Sequence, residues 1–390
     1  MRLLHTSDWH LGRSLHGHDL GAAQTGFVDH LVEVVRAEGV DVVLVAGDVH
    51  DRALPPVSAL QLFDEALGRL RDAGAAVVAI SGNHDAPARL GDKAGLLDPR
   101  IALRCDPRRV AEPVVLADDH GPVAFYGIPY LEPAAVRQLL PGADAVEDDD
   151  DPVVRGAHTR VLTTALRAVT ADRVARGGRS VVLAHAWVTG GEASDSERDI
   201  AVGGIGHVPA GLFDGVDYTA LGHLHRPQTL RDGLRYSGSP LPYSFSEAGH
   251  AKLSWLVELG AAGLASVREV AAPVHRRLTA LTGTLEDLLT SRTHDPYEQD
   301  FVALVLTDPV RPLDAMPALQ RRFSHPLTLS WQPSSLPAGD GATYAQRTRG
   351  RSDIEVADAF VTHVRGEPSD PERALLRAAL EAARVAEDAA

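Results

Sequence analysis

Nine polar side chains stand where apolar runs of the sequence stop. Asp8 and His10 follow RLLHT, and Asp48 follows DVVLVA. Asn83, His84 and Asp85 follow AVVAI, His185 follows SVVLA, and His223 and His225 follow YTAL. Carboxylate, amide and imidazole groups without thiolate suit Mn(II), Fe(II) or Zn(II). Seven of them (Asp8, His10, Asp48, Asn83, His185, His223 and His225) are more ligands than one ion needs. A shared carboxylate would let two ions sit roughly 3.5–4 Å apart, the spacing that clamps an in-line displacement at phosphorus. Asp48 ends a central run and is the natural bridge. One Asp-x-His or His-x-His says little alone: His16-Gly17-His18 has the spacing but follows no strand, and reads as loop. Five pieces in this order, each closing an apolar run, carry the weight.

Something must bring five strand ends to one place. Arg2–Thr6 reads as a strand, 22–38 as a helix, Asp41–Ala46 as a buried strand, 56–73 as an amphipathic helix with proline in its first turn, and Ala76–Ile80 as a third strand. This βαβαβ pattern implies a parallel sheet covered by helices, and ligands of such sheets gather at the carboxyl ends of the strands. Gly47, Gly82 and Gly222 let the backbone turn tightly there. Further strands are expected at 123–128, 180–184, 218–221, 253–257 and 264–270, with a helix over 153–176. From Pro273 the pattern changes. Strands at 276–281, 301–306 and 327–331 alternate with helices at 285–292 and 313–323, so a second, small domain is expected at 274–334. A Pro/Gly/Ser/Arg-rich linker follows to Arg351, then two helices, 354–364 and 371–385.

Composition narrows the chemistry. The 390 residues are 44% hydrophobic and 23% charged, as in a globular protein. The single cysteine, Cys105, excludes an internal disulfide and a thiolate cluster. No apolar run approaches the roughly 20 residues that span a bilayer. The start, MRLLHTSDWH, lacks the apolar core of a signal peptide, so the expected compartment is the cytoplasm. Only two lysines occur, Lys93 before Ala94 and Lys252 before Leu253, so no Gly-Lys-[Ser/Thr] phosphate loop exists. The net charge of -15 counts against a nucleic-acid partner, although Asp144 and the run Glu147 to Asp151 supply part of it and read as a solvated loop.

The ordered pieces D-x-H, G-D, G-N-H-D, H and G-H-x-H resemble the calcineurin-like metallophosphoesterase superfamily. The opening HTSDWHLG, the segment YSGSPLPYSFSE (236–247), Asp295-Pro296-Tyr297 and the stretch from Phe360 to Leu376 resemble its nuclease branch, the nuclease subunits of bacterial SbcCD-type complexes. The resemblance implies an α/β fold: a four-layer sandwich of two mixed sheets flanked by helices, a small α+β capping domain and C-terminal helices. It divides the chain into a nuclease domain (1–273), a capping domain (274–334) and a linker with docking helices (335–390). It implies one metal on Asp8, His10, Asp48 and His225 and a second on Asp48, Asn83, His185 and His223, with Mn2+ expected and Mg2+ as the other choice. His84 would be the acid near the scissile phosphate. Asp85 would either hold that imidazole or cap its loop. His50 stands where many relatives have an aromatic residue, as a benign exchange or an extra polar contact.

The implied activity is a two-metal DNA nuclease, exonucleolytic on duplex ends and endonucleolytic on hairpins and single strands, in DNA repair and recombination. The implied partners are DNA, an SbcC-type ATPase with a long coiled coil, and a second copy of the chain within a heterotetramer, with no membrane. Two other readings stay open: a small-molecule phosphodiesterase of the same superfamily, and an inactive scaffold that only binds DNA or the ATPase.

Overall fold

Runs of β-branched and other apolar residues alternate with amphipathic stretches, and the chain folds as strands crossed over by helices. The computed structural model describes residues 1–136, 138–140, 156–197, 208–333 and 350–388. Two compact units emerge, Met1–His275 and Arg276–Ala390.

The elements of the first unit are β1 (Arg2–Thr6), the hairpin β2 (Ser14–Leu15) and β3 (His18–Asp19), α1 (Gly21–Glu38), β4 (Val42–Ala46), α2 (Val57–Asp72), β5 (Ala76–Ile80), α3 (Pro87–Leu90), β6 (Ile101–Leu103), β7 (Val114–Asp118), β8 (Gly121–Ile128), α4 (Pro133–Val136), α5 (Ala157–Arg176), β9 (Arg179–His185), β10 (Tyr218–Gly222), β11 (Gln228–Arg231), β12 (Leu234–Tyr236), β13 (Leu253–Gly260) and β14 (Gly263–Ala271). They build two six-stranded mixed sheets, in the orders β14-β13-β1-β4-β5-β6 and β11-β12-β10-β9-β8-β7. Within the first, β1, β4, β5 and β6 run parallel; within the second, β12, β10, β9 and β8 do.

Three apolar layers hold the sandwich. Val42, Leu44, Val78, Phe125, Val181, Leu183 and Val257 fill the space between the sheets. Phe27, Leu31, Phe63 and Leu67 of α1 and α2 cover the outer face of the first sheet, and Val161, Leu162, Leu166 and Val169 of α5 cover the second. The central strands are buried on both faces, which is why they read as unbroken apolar runs rather than alternating ones. The architecture is thus the expected four-layer sandwich.

Register lines up the strand ends. Thr6 pairs with Val45 and Ala46 with Ile80, while His185 pairs with Gly222 in the other sheet. Every loop that carries a candidate ligand therefore leaves from one edge.

The second unit begins with β15 (Leu278–Gly283), α6 (Leu285–Thr290), β16 (Phe301–Leu306), α7 (Ala315–Leu319) and β17 (His325–Trp331), a three-stranded parallel sheet around Leu288, Val302, Leu304, Leu319 and Phe323. Two helices follow, α8 (Asp353–Arg365) and α9 (Asp370–Asp388), tied by Arg373 to Asp358 at 2.9 Å. The helix expected over 313–323 is shorter: Asp314 takes a left-handed conformation (φ 53°) that stops it on the N-terminal side. The short strands β6, β7, β11 and β12 are additions to the sequence reading. The acidic run to Asp151, the start of the helix expected from Val153, and most of the linker lie outside the described residues.

Candidate metal centre

All seven candidate ligands meet at the strand-end edge of the first unit. Asp48 is the centre: its Oδ2 lies 3.6 Å from His10 Nε2, 3.5 Å from His185 Nε2 and 4.0 Å from His84 Nε2. To one side, His10 Nε2 and His225 Nε2 approach to 3.0 Å. To the other, Asn83 Oδ1 stands 2.9 Å from His185 Nε2 and 3.2 Å from His223 Nδ1. Asp8 accepts the His223 backbone N–H at 3.1 Å and the Ser7 hydroxyl at 2.5 Å. Asp8, His10 and His225 form one group able to hold an ion, and Asp8, Asp48 and His185 another.

The backbone is bent to achieve this. Among the described residues six non-glycine positions have positive φ, and four of them are Asp8, His10, Asp48 and His223. Such conformations cost of order 1–3 kcal/mol each and persist where the surroundings over-determine them. Two glycines make the close approach feasible. A Cβ on Gly82 would strike Asp48, and one on Gly222 would strike the Ala46 carbonyl.

The electrostatics call for cations. Burial first, and then the Asp48 carboxylate, raise the Asp8 pKa well above its ordinary value. Burial likewise holds His10 and His223 far below the usual imidazole value, and His185 at about 4, so their rings are neutral with lone pairs to donate. His10 Nδ1 and His223 Nε2 are buried without a hydrogen-bond partner. Neutral imidazoles crowded around two buried carboxylates fit divalent ions better than they fit a closed apolar core.

The imidazoles are aimed from behind. His185 Nδ1 donates to the Ala46 carbonyl at 2.9 Å, which turns its Nε2 inward. His84 Nδ1 donates to the Asp51 carbonyl at 2.8 Å and sends its Nε2 toward Asp48. His225 sits in a closed circuit. Its Nδ1 is 2.5 Å from Ser196 Oγ, Ser196 donates to Glu247, and Glu247 pairs with Lys252. Lys252 Nζ returns to the His225 carbonyl at 2.9 Å. Glu247 is fully buried; burial alone would raise its carboxyl, but His225 and Lys252 outweigh that and hold it well below the usual range. An ionised Glu247 only accepts, so the Ser196 hydroxyl proton goes to it and the Ser196 oxygen takes the His225 Nδ1 proton. His225 Nε2 is left as a lone pair facing His10. Tyr243 packs edge-on against His10 and His225 and donates to the Trp9 carbonyl at 2.5 Å.

Of the two roles open to Asp85, the structure shows the loop cap. Asp85 does not hold the His84 ring, which Asp51 anchors. Its Oδ2 accepts from Val49 N–H at 3.0 Å and Gly82 N–H at 2.9 Å, and its Oδ1 from His50 N–H at 2.9 Å. Backbone donors were the nearer partners, so Asp85 clamps the Asp48 and Asn83 loops together. His50 is buried edge-on against Phe63, with its Nδ1 3.4 Å from Asp85. It fills an aromatic position with an aromatic ring. Ser196, Glu247, Lys252 and Tyr243 were not read as site residues; the segment 236–247, which holds Tyr243 and Glu247, and the scarcity of lysine were the available signals.

Residues 1–227 match the family described as calcineurin-like phosphoesterase. The chain belongs to that family. Among solved structures, TT1561 of Thermus thermophilus aligns over 70% of this chain and 99% of its own, with 13% identity and a TM-score of 0.40. GAP50, the anchor in the inner membrane complex of Plasmodium, aligns over 87% of this chain and 99% of its own, with 11% identity and a TM-score of 0.35. Family members are phosphoester hydrolases that bind divalent metals, and this metallophosphoesterase has the His and Asp groups to hold them. Such ions, when bound, supply Lewis acidity and a nucleophile at neutral pH. The chain's own part is to fix the candidate ligand rings and exclude bulk water by burial, with His84 Nε2 turned toward the centre. Among the described residues no helix is long and apolar enough to cross a membrane.

Proposed function

We propose that this metallophosphoesterase is a DNA nuclease, the nuclease subunit of an SbcCD-type complex. It hydrolyses phosphodiesters at duplex ends, in hairpins and in single strands, with a pair of Mn2+ ions, in DNA repair and recombination in the cytoplasm. The observation that carries this reading is the place of the segment 236–247. It resembles the nuclease branch in sequence, and it lines the metal centre: Ser237 bonds Ser7 at 2.7 Å, Tyr243 packs on His10 and His225, and Glu247 backs His225. The second unit, with its small sheet and two terminal helices, supplies what a small-molecule phosphodiesterase does not need. Its helices are the proposed dock for an SbcC-type ATPase, and a second copy of the chain completes a heterotetramer.

The test is cleavage of duplex and hairpin DNA with Mn2+ and with Mg2+, with and without the ATPase, beside a small phosphodiester. DNA degradation that disappears in Asp48→Asn and His84→Ala supports the reading. Brisk turnover of the small phosphodiester with intact DNA overturns it in favour of the small-molecule enzyme.

A further inference from the structure

The parallel strands of the first sheet deliver a ligand-bearing loop at β1, β4 and β5, and the next strand in the same sheet is β6. Its carboxyl end delivers Arg104. The Arg104 backbone N–H donates to the Ala79 carbonyl at 2.7 Å, prolonging the β5–β6 pairing. Its stem rests on Gly127 of β8, where any Cβ would collide with Arg104 Cβ and Cγ. Arg104 is thus held at its base, not trailing in solvent.

It lines a cleft of about 560 Å³, together with Gly91, Gly95, Cys105, Arg108 and Arg109. That volume suits a nucleotide-sized ligand, within the roughly 300–1,000 Å³ of typical binding clefts. Arg104 Nε is buried and has no hydrogen-bond partner. The other two arginines are paired, Arg108 with Asp106 at 2.8 Å and Arg109 with Glu112 at 2.8 Å. A buried guanidinium N–H left without an acceptor is costly, because its lost hydration is not replaced, and the carboxylate of Glu112 offsets only part of the desolvation of Arg104 and its repulsion by Arg109. Planar guanidinium forks match phosphate oxygens. The cleft adjoins the metal centre through its wall: Cys105 lies close enough to Asp85, the clamp of the Asn83–His84 loop, for that carboxylate to act on its thiol.

We propose that this cleft is a phosphate subsite, in which Arg104 binds a backbone phosphate of the substrate strand flanking the scissile one; the assignment to a strand rests on the nuclease reading above. A phosphate held at β6 would orient the strand across the ends of β5 and β4.

The experiment measures binding of a fluorescent single-stranded DNA to the full chain by anisotropy, in EDTA to prevent turnover, over a range of salt. Arg104→Ala should weaken binding roughly 5- to 20-fold and lower the slope of log K against log salt by about one. Arg104→Lys, which keeps the charge and loses the fork, should fall between, and it keeps the test valid should the alanine variant fold poorly. Arg100→Ala removes an exposed charge at the other end of β6 and serves as the control. Equal affinity and slope for Arg104→Ala, Arg104→Lys and Arg100→Ala overturn the proposal. If the wild type neither binds nor cuts DNA, the nuclease reading fails by itself. Titration of the same metal-free proteins with inorganic phosphate, followed by 31P NMR, then decides the cleft. Line broadening in the wild type that is lost in Arg104→Ala supports it, and identical spectra overturn it.

Discussion

The two units of the chain put the carboxyl ends of their parallel strands to opposite uses. In the second unit, β15, β16 and β17 end in groups that satisfy one another. Thr307 N–H bonds the Gly283 carbonyl at 3.0 Å, and Gln332 N–H bonds the Leu306 carbonyl at 2.8 Å. Thr284 caps α6, Asp308 accepts the Leu285 N–H at 2.8 Å, and the Trp331 indole N–H bonds the Asp308 carbonyl at 2.8 Å. In the first unit the ends of β1, β4, β9 and β10 carry buried carboxylates and neutral imidazoles, two of whose nitrogens lack partners, on a backbone held at positive φ. A carboxylate at a strand end is therefore not a sign of chemistry. What distinguishes the centre is polar capacity left unmet by the chain itself, with the strain that comes with it.

The largest test of that contrast is Asp48→Asn. The amide keeps an oxygen for the His84 N–H, which now bonds Asp48 Oδ1 at 2.8 Å, and removes the charge. Hydrolysis should fall on the order of 10³- to 10⁴-fold, about 4–5 kcal/mol in the barrier. Without metal the variant should melt no lower than the wild type, since Asp8 loses a repulsive neighbour, and the rise in Tm on adding Mn2+ should vanish. Unchanged metal-induced stabilisation would break the contrast at its centre. With His84 as the proposed acid and the other imidazoles as the proposed ligands, His84→Ala should cost about 10²- to 10⁴-fold in kcat while the Mn2+-induced rise in Tm survives.

Asp85 and Asp308 sharpen the comparison within one residue type. Both are strand-end carboxylates bonded to backbone N–H groups, three for Asp85 and one for Asp308 among the described residues. Stranding buried donors costs about 1–3 kcal/mol each, less where water can enter. Asp85→Ala should lower stability by about 3 kcal/mol and Asp308→Ala by about 1 kcal/mol, read from urea melts. A drop in kcat for Asp85→Ala without any loss of stability would return Asp85 to the side of His84.

These cases also mark what the sequence discloses. The meeting of the seven candidate ligands was legible because each closes an apolar run, and an apolar run in a parallel sheet has a defined carboxyl end. The parallel sheet covered by helices was legible for the same reason and the two-sheet sandwich only through the family resemblance, while β6 and β12, at three residues each, are too short to show a period. Asp85 was not legible, because adjacency to His84 does not say which way a side chain turns. The circuit behind His225 was not legible either. Ser196, His225 and the Glu247–Lys252 stretch are drawn together from three separate loops, and nothing in their spacing repeats.

That circuit offers the smallest and most selective test. In the second unit Asp308 acts on backbone; in the first, Glu247 acts on a ligand, through Ser196. Ser196→Ala removes the link and leaves the Glu247–Lys252 pair in place, so the fold should lose little. The His225 Nδ1 proton would lose its near acceptor and keep only Glu247 Oε1, 3.6 Å away, so the preference for this tautomer should weaken and the other, which turns a proton toward the metals, should gain population. Partners of this kind contribute about 10- to 100-fold to metal affinity, and the loss of one neutral link should sit near the lower bound. Calorimetric titration with Mn2+ should show affinity reduced about tenfold. 15N NMR of the metal-free protein should show His225 moving from one protonated nitrogen to a mixture, and Ser196→Thr, which restores the hydroxyl, should restore both. If Ser196→Ala binds Mn2+ as the wild type does, the circuit is packing of the kind seen around Asp308, and the difference between the two units ends at the ligands themselves.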